Sequence, residues 1–284
     1  MRPDYITKHF LDKFIQSALD EDVGDGDHST LAAIPPDTIS TAKLLIKEDG
    51  VIAGIDLAAS IFQFFDPSLN LSVKIHDGTA VKAGDIAFTV SGPARSILTT
   101  ERLVLNCMQR MSAIATKTRF LSFLIEGTSA RLLDTRKTTP NFRLIEKWAV
   151  LIGGGQNHRI GLYDKIMLKD NHIDMAGGIE QVIIRTKDYL RARNKNLQIE
   201  VETRTLTEVK QVLNAGVDMI MLDNMDLETM KEAVRLIGGA CKTEASGGIT
   251  EDTIRGVAEC GVDFISVGAL THNVKSLDLS LKAQ

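Results

Sequence analysis

Residues 197–224, LQIEVETRTLTEVKQVLNAGVDMIMLDN, contain one complete strand–helix–strand unit. Residues 197–202 and 219–223 are short apolar runs of strand length, and 205–215 place apolar residues at helical spacing. Gly216 stands where a left-handed residue stops a helix, and it is followed by Val-Asp and the next strand. The same punctuation returns at Gly261. Working outward, further strands are expected at 131–134, 165–169, 243–246 and 264–267, with helices at roughly 141–152, 177–193, 226–238 and 250–260. Strict alternation of strand and helix predicts a parallel sheet, and right-handed crossovers at this length close such a sheet toward a barrel. Six strands are clear, so an eight-stranded barrel is not supported; residues 155–160 are the place for a seventh.

The residues that end these strands point to chemistry. In order they are Asp134-Thr135-Arg136-Lys137, Lys169-Asp170-Asn171, Glu202, Asp223-Asn224, Ser246-Gly247-Gly248 and Gly268-Ala269. In a parallel barrel all C-terminal strand ends open on one face, which carries the active site. Ser246-Gly247-Gly248 and Val267-Gly268-Ala269 suit a phosphate, because glycine lets backbone N–H groups approach it closely. Glu202 and Asp223 are candidates for Mg²⁺, for sugar hydroxyls or for general-base work. Arg136, Lys137, Arg159 and Lys169 can clamp carboxylates or a pyrophosphate, arginine through its planar fork. Residues 131–169 hold eight Lys/Arg against three Asp/Glu, a local +5 in a chain of net −4. A cationic focus on an acidic chain suits a small anion. A merely solvated basic face is the plainer alternative, but these cations alternate with Gly, Thr, Asn and His at strand ends.

The first hundred residues predict a mixed domain: a helix at 8–20, a polar loop at 20–30 with helix-capping Asp or Ser/Thr, strands at 41–47, 51–54, 71–75 and 86–90, and a helix at 57–65. A long helix starts at Ala94, with Val104, Met108, Met111 and Ala115 in its apolar stripe, and the domain boundary is expected near residue 115. The acidic balance argues against nucleic acid or a membrane surface as partner. Three Cys without metal-ligand spacing fit buried thiols in a reducing compartment. No signal peptide or membrane span is read, so the cytoplasm is the expected location.

Several segments together resemble the quinolinate phosphoribosyltransferases, the carboxylating nicotinate-nucleotide pyrophosphorylases of NAD biosynthesis. They are ERLVLNCMQRMSAIAT (101–116), DTRKTTP (134–140), GGGQNHRIGLYD (153–164), KDNHI (169–173), EVE (200–202), MLDN (221–224), EASGGI (244–249) and SVGALTH (266–272). The resemblance implies an N-terminal α/β sandwich domain, residues 1–115, and an incomplete six- or seven-stranded α/β barrel, 116–272, with 273–284 packing back on the first domain. It implies conversion of quinolinate and phosphoribosyl pyrophosphate into nicotinate mononucleotide, pyrophosphate and CO₂, with Mg²⁺. Arg102, Arg136, His158, Arg159 and Lys169 would form the quinolinate pocket, with Thr135 beside them. Lys137, Glu202 and Asp223 would serve the pyrophosphate, ribose and metal, directly or through water. Ser246, Gly247, Gly248, Val267, Gly268 and Ala269 would cradle the 5′-phosphate, with His272 near it. A homodimer is implied, in which Arg102 completes the neighbouring site. Ala113 and Asn141-Phe142 depart from the family pattern and touch no proposed ligand contact. A phosphoribosyltransferase-like relative associated with molybdate transport shares the architecture. A Schiff-base enzyme using Lys137 or Lys169 and a non-catalytic binding protein are readings of other classes.

Overall fold

The computed structural model describes residues 2–284. Its contacts divide the chain into two compact units, Met1–Arg119 with Thr138–Gly154 and Leu270–Gln284, and Phe120–Lys137 with Gly155–Ala269. The segment 138–154, read from sequence with the barrel, groups with the first unit.

The first unit opens with α1 (Lys8–Val23) and α2 (His28–Ala33). The expected polar loop is therefore shorter than 20–30, because Asp27 accepts a hydrogen bond from the Thr30 N–H at 3.0 Å and starts α2 within it. Then come β1 (Ile39–Ile46), β2 (Gly50–Val51), α3 (Ile55–Phe65), β3 (Asn70–Val73), β4 (Ala80–Val81), β5 (Ile86–Pro93) and α4 (Ala94–Leu124). The strand expected at 51–54 stops at Val51. The Val51 and Ala53 N–H groups bond to Thr116 Oγ1 (2.8 Å) and Ser112 Oγ (2.9 Å) of α4 instead of to a strand. Gly54 then turns the chain at φ +100°, where an added Cβ would lie 3.1 Å from Met108 and Met111. The antiparallel sheet has the order C-terminal strand–β1–β5–β3, the first being Leu279–Ala283. Leu44, Ile46, Ile61, Phe62, Phe88 and Val90 fill its core, with Phe62 of α3 edge-on to Phe88 of β5 at 6.0 Å. α5 (Arg143–Ile152) buries Trp148 completely in this unit.

The second unit holds β6 (Arg131–Leu133), β7 (Ile166–Leu168), α6 (Asp170–Ala176), α7 (Ile179–Ala192), β8 (Ile199–Thr203), α8 (Leu206–Ala215), β9 (Met219–Asp223), α9 (Leu227–Ile237), β10 (Lys242–Ser246), α10 (Ile254–Glu259) and β11 (Phe264–Ser266). The six strands form one parallel sheet, β6–β11–β10–β9–β8–β7, in an incomplete barrel. The place kept for a seventh strand is a single parallel bridge, Leu133 to Gln156. The paired residues set interior layers: Met167, Glu200 and Met219 in one, Glu202, Met221 and Glu244 in the next, Asp223 and Ser246 above. The two Gly-Val-Asp turns act alike. Asp218 accepts from the Ile199 N–H (2.7 Å) and Asp263 from the Thr243 N–H (2.9 Å), so each carboxylate pins the start of a neighbouring strand.

Candidate active site

The site residues of the second unit rest on buried anchors. Asp134, at the end of β6, is fully buried and accepts hydrogen bonds from the His158 N–H (2.9 Å) and Asn157 Nδ2 (2.6 Å). It ties the DTRK turn to the NHR turn. Thr135 Oγ1 accepts from the Lys137 N–H at 3.0 Å, and Lys137 is exposed. Arg136 is half-buried, and its Nε is shut from water without a hydrogen-bond partner in the chain. Arg159 lies half-buried, its guanidinium over the Lys165 carbonyl (3.4 Å) and Met167 Sδ (3.6 Å). Burial first, and the neighbouring Arg136 charge second, push its pKa down. Two arginines thus hold like charges together in a partly dry pocket. An anion relieves both the repulsion and the orphaned Nε.

Further round the mouth, Lys169 Nζ pairs with Glu202 Oε2 at 3.2 Å, with Glu202 buried and Lys169 half exposed. Asp223 Oδ2 accepts from Asn224 Nδ2 at 2.7 Å, and the Asn224 N–H donates to the Ser246 carbonyl at 2.9 Å. Asn224 itself is left-handed, at φ +54°. Its side chain fills the space a Cβ on Gly247 would take, 2.3 Å from Asn224 Oδ1. Gly247 and Gly248 follow at φ +94° and +59°, so the turn after β10 is bare backbone. The Val267 N–H is bonded to the Leu133 carbonyl at 3.0 Å, which ties the start of the Val267-Gly268-Ala269 turn to β6. Arg102 is exposed on α4 in the first unit, and His272 is exposed in the short helix Ala269–His272. There, Arg110 of α4 ion-pairs with the fully buried Glu146 at 2.9 Å and also donates to the Thr271 carbonyl.

Beneath the mouth lies a cluster that the strand-end reading missed. His158 Nε2 is 3.0 Å from Glu200 Oε2 and 3.3 Å from Glu244 Oε2. Lys165 Nζ is 2.9 Å from Glu200 Oε2. Among the described residues this is the group of three potential ligand side chains close enough to share a metal ion. Burial opposes charge on His158, but ionised Glu200 and Glu244 beside it outweigh burial and push its pKa up to about 9. For Glu200, burial is outweighed by His158 and Lys165, and its pKa falls; Glu244, with burial dominant, is pushed up. Asn224 was visible in sequence as a strand end without a role. The trace of Glu200 and Glu244 was the Glu-x-Glu and Thr-Glu-Ala alternation inside otherwise buried strands.

Comparison with known proteins follows the same lines. The family model for the C-terminal domain of quinolinate phosphoribosyl transferase matches residues 114–282, and that for the N-terminal domain matches 27–112. A chloroplastic nicotinate-nucleotide pyrophosphorylase [carboxylating] of Oryza sativa subsp. japonica is 50% identical over 96% of this chain and 77% of the relative. The crystal structure of NadC from Streptococcus pyogenes superposes with a TM-score of 0.92 at 39% identity, covering 98% of this chain and 97% of that one. A nicotinate-nucleotide pyrophosphorylase from Francisella tularensis gives the same TM-score and identity, covering 98% of each chain. These relatives favour the pyrophosphorylase reading over the molybdate-associated one. With both of its domain models matched in order, this chain belongs to the quinolinate phosphoribosyltransferase family.

Proposed function

We propose that the chain transfers phosphoribose from phosphoribosyl pyrophosphate to quinolinate with loss of CO₂, giving nicotinate mononucleotide and pyrophosphate. The observation that carries this reading is the Arg136–Arg159 pair: two cations pressed together, one with an orphaned buried N–H. Such a pocket is built for a compact dianion, and quinolinate carries two adjacent carboxylates. Lys169 joins them from β7, and Lys137 faces the pyrophosphate. Breaking the bond from C1 to pyrophosphate builds positive charge on the ribose, which Glu202 and Asp223 stabilise. Once the ring nitrogen bears the sugar it is cationic. The carbon–carboxylate bond then breaks, CO₂ leaves, and the electron pair stays on the ring carbon until a proton arrives. The Gly247-Gly248 turn and the Val267-Gly268-Ala269 turn offer backbone to the 5′-phosphate.

Glu202 and Asp223 fit Mg²⁺ by donor type, as carboxylate oxygens on adjacent strands at the mouth. They would hold it with water and substrate oxygens, and the ion would neutralise the departing pyrophosphate. The His158 cluster suits it poorly, since a nitrogen ligand and a resident ammonium replace hard oxygens there. We place Arg102 in the site of a neighbouring subunit, which its exposure on α4 permits. Among the described residues no helix is long and apolar enough to cross a membrane; we assign the chain to the cytoplasm. Incubation with phosphoribosyl pyrophosphate, Mg²⁺ and either quinolinate or nicotinate tests the function. CO₂ release with quinolinate and no nucleotide from nicotinate is expected; turnover of nicotinate alone would overturn it.

A further inference from the structure

The resemblance places His158 among the quinolinate ligands, but the hydrogen bonds of its ring assign it elsewhere. Its Nδ1 accepts from the Arg159 N–H at 2.6 Å. Its Nε2 points the other way, between Glu200 at 3.0 Å and Glu244 at 3.3 Å. The side chain is 5% exposed. A lone pair on Nδ1 and a proton on Nε2 satisfy both ends at once, which is the neutral Nε2–H tautomer. A second ring proton, on Nδ1, would oppose the Arg159 N–H.

The groups around the ring balance without an imidazolium. β8 supplies Glu200, whose charge is matched by Lys165 at 2.9 Å. β10 supplies Glu244, fully buried, with neither carboxyl oxygen taking a hydrogen bond in good geometry. β6 leads to Asp134, which is occupied by the His158 and Asn157 N–H groups. β9 offers the Met219 thioether, 3.5 Å from Lys165 Nζ, and β11 the Ser266 hydroxyl, neighbour to Glu244. Arg159 is the remaining cation beside it. One ammonium and one carboxylate cancel, so Glu244, fully buried and pushed up by that burial, holds its own proton as a neutral acid.

Resting on the proposed function, we infer that His158 is a positioning residue rather than a ligand: Glu200 fixes its ring from below, and its Nδ1 fixes the backbone of Arg159, which grips the dicarboxylate. The chain of support runs from Lys165 to Glu200, through the imidazole, to the Arg159 N–H. This gives Glu200 and Lys165 a part in substrate capture although neither reaches the mouth.

Nitrogen NMR of the histidine-labelled chain tests this, with the His158 signals assigned by their loss in His158→Gln. The free protein should show the neutral Nε2–H tautomer from pH 6 to 8, and saturating quinolinate should leave that pattern in place. An imidazolium pattern in the free chain, or its appearance on quinolinate addition, overturns the inference. A double-mutant cycle supplies a second measurement. Glu200→Gln and His158→Gln should each raise the KM for quinolinate roughly tenfold or more with little effect on the KM for phosphoribosyl pyrophosphate, and the double variant should lose no more than the worse single one. Independent, multiplying losses would overturn it. Failure of the wild-type chain to release CO₂ from quinolinate would sink the proposed function, while the tautomer of the free chain would still decide the role of His158.

Discussion

Gly247 shows how one residue binds geometry to chemistry. Its φ of +94° is strained for any side chain, and a Cβ there would sit 2.3 Å from Asn224 Oδ1. Gly247→Ala must therefore shift the turn after β10, displace Asn224, or both. Strain of this kind is worth about 1–3 kcal/mol, so the KM for phosphoribosyl pyrophosphate should rise roughly tenfold or more. Quinolinate binding, measured by calorimetry, should stay unchanged, because Arg136 and Arg159 lie in other turns, between β6 and β7. An unchanged KM for phosphoribosyl pyrophosphate would remove the phosphate cradle from this turn. At this scale the mouth was legible in sequence, since Arg136, Arg159, Lys169, Glu202 and Asp223 each end or border an apolar run. Glu200, Glu244 and Lys165 were not. A charged residue inside a strand has no period or motif of its own; its partners come from segments far away in sequence, as His158 does for Glu244.

Among the elements, the parallel strands depend on anchors at the end away from the mouth. Asp263 accepts from the Thr243 N–H and Oγ1 at 2.9 and 3.0 Å and pairs with Lys242 at 2.6 Å. Asp263→Ala strands the start of β10 with an unsatisfied donor, which costs about 1–3 kcal/mol. The midpoint of urea unfolding should fall accordingly while both substrate KM values hold. A change in KM with unaltered stability would contradict the anchoring role. Sequence periodicity located β10 and β11, and Gly261 was readable as the helix stop before β11. The anchor was hidden because it depends on sheet register: Asp263 meets Thr243 only once β10 and β11 lie side by side. The strand expected at 51–54 failed for a related reason. Side chains of α4 took its backbone donors, and that competition is set by tertiary packing. α6 went unread because its seven residues follow β7 directly, with too few turns for a helical period.

At the scale of the whole molecule, the buried cluster makes stability depend on pH. The folded chain keeps one proton in the cluster, on Glu244, whose carboxyl burial pushes up, whereas an unfolded histidine releases its proton near 6.5. The stabilisation is therefore complete below about 6.5 and is lost as pH rises toward the raised value of Glu244. Urea titrations across that window should show the decline, and Glu244→Gln should flatten it; an equal slope in the variant would place the proton elsewhere. The two-unit division bears on assembly as well. The proposed dicarboxylate and phosphate groups lie in the second unit, while Arg102 stands exposed on α4 of the first. If Arg102 serves a neighbour, Arg102→Ala and Lys137→Ala chains fail for different reasons. The first keeps an intact barrel but lends no arginine; the second lends its arginine but cannot act on pyrophosphate. In a mixed dimer the Arg102→Ala barrel receives Arg102 from its partner, and that one site works. Random reassortment of equal amounts makes half the dimers mixed, so about a quarter of wild-type turnover should return. Each variant alone should fall by orders of magnitude with its unfolding transition preserved. Mixtures no more active than the sum of the separate variants would place Arg102 outside a shared site.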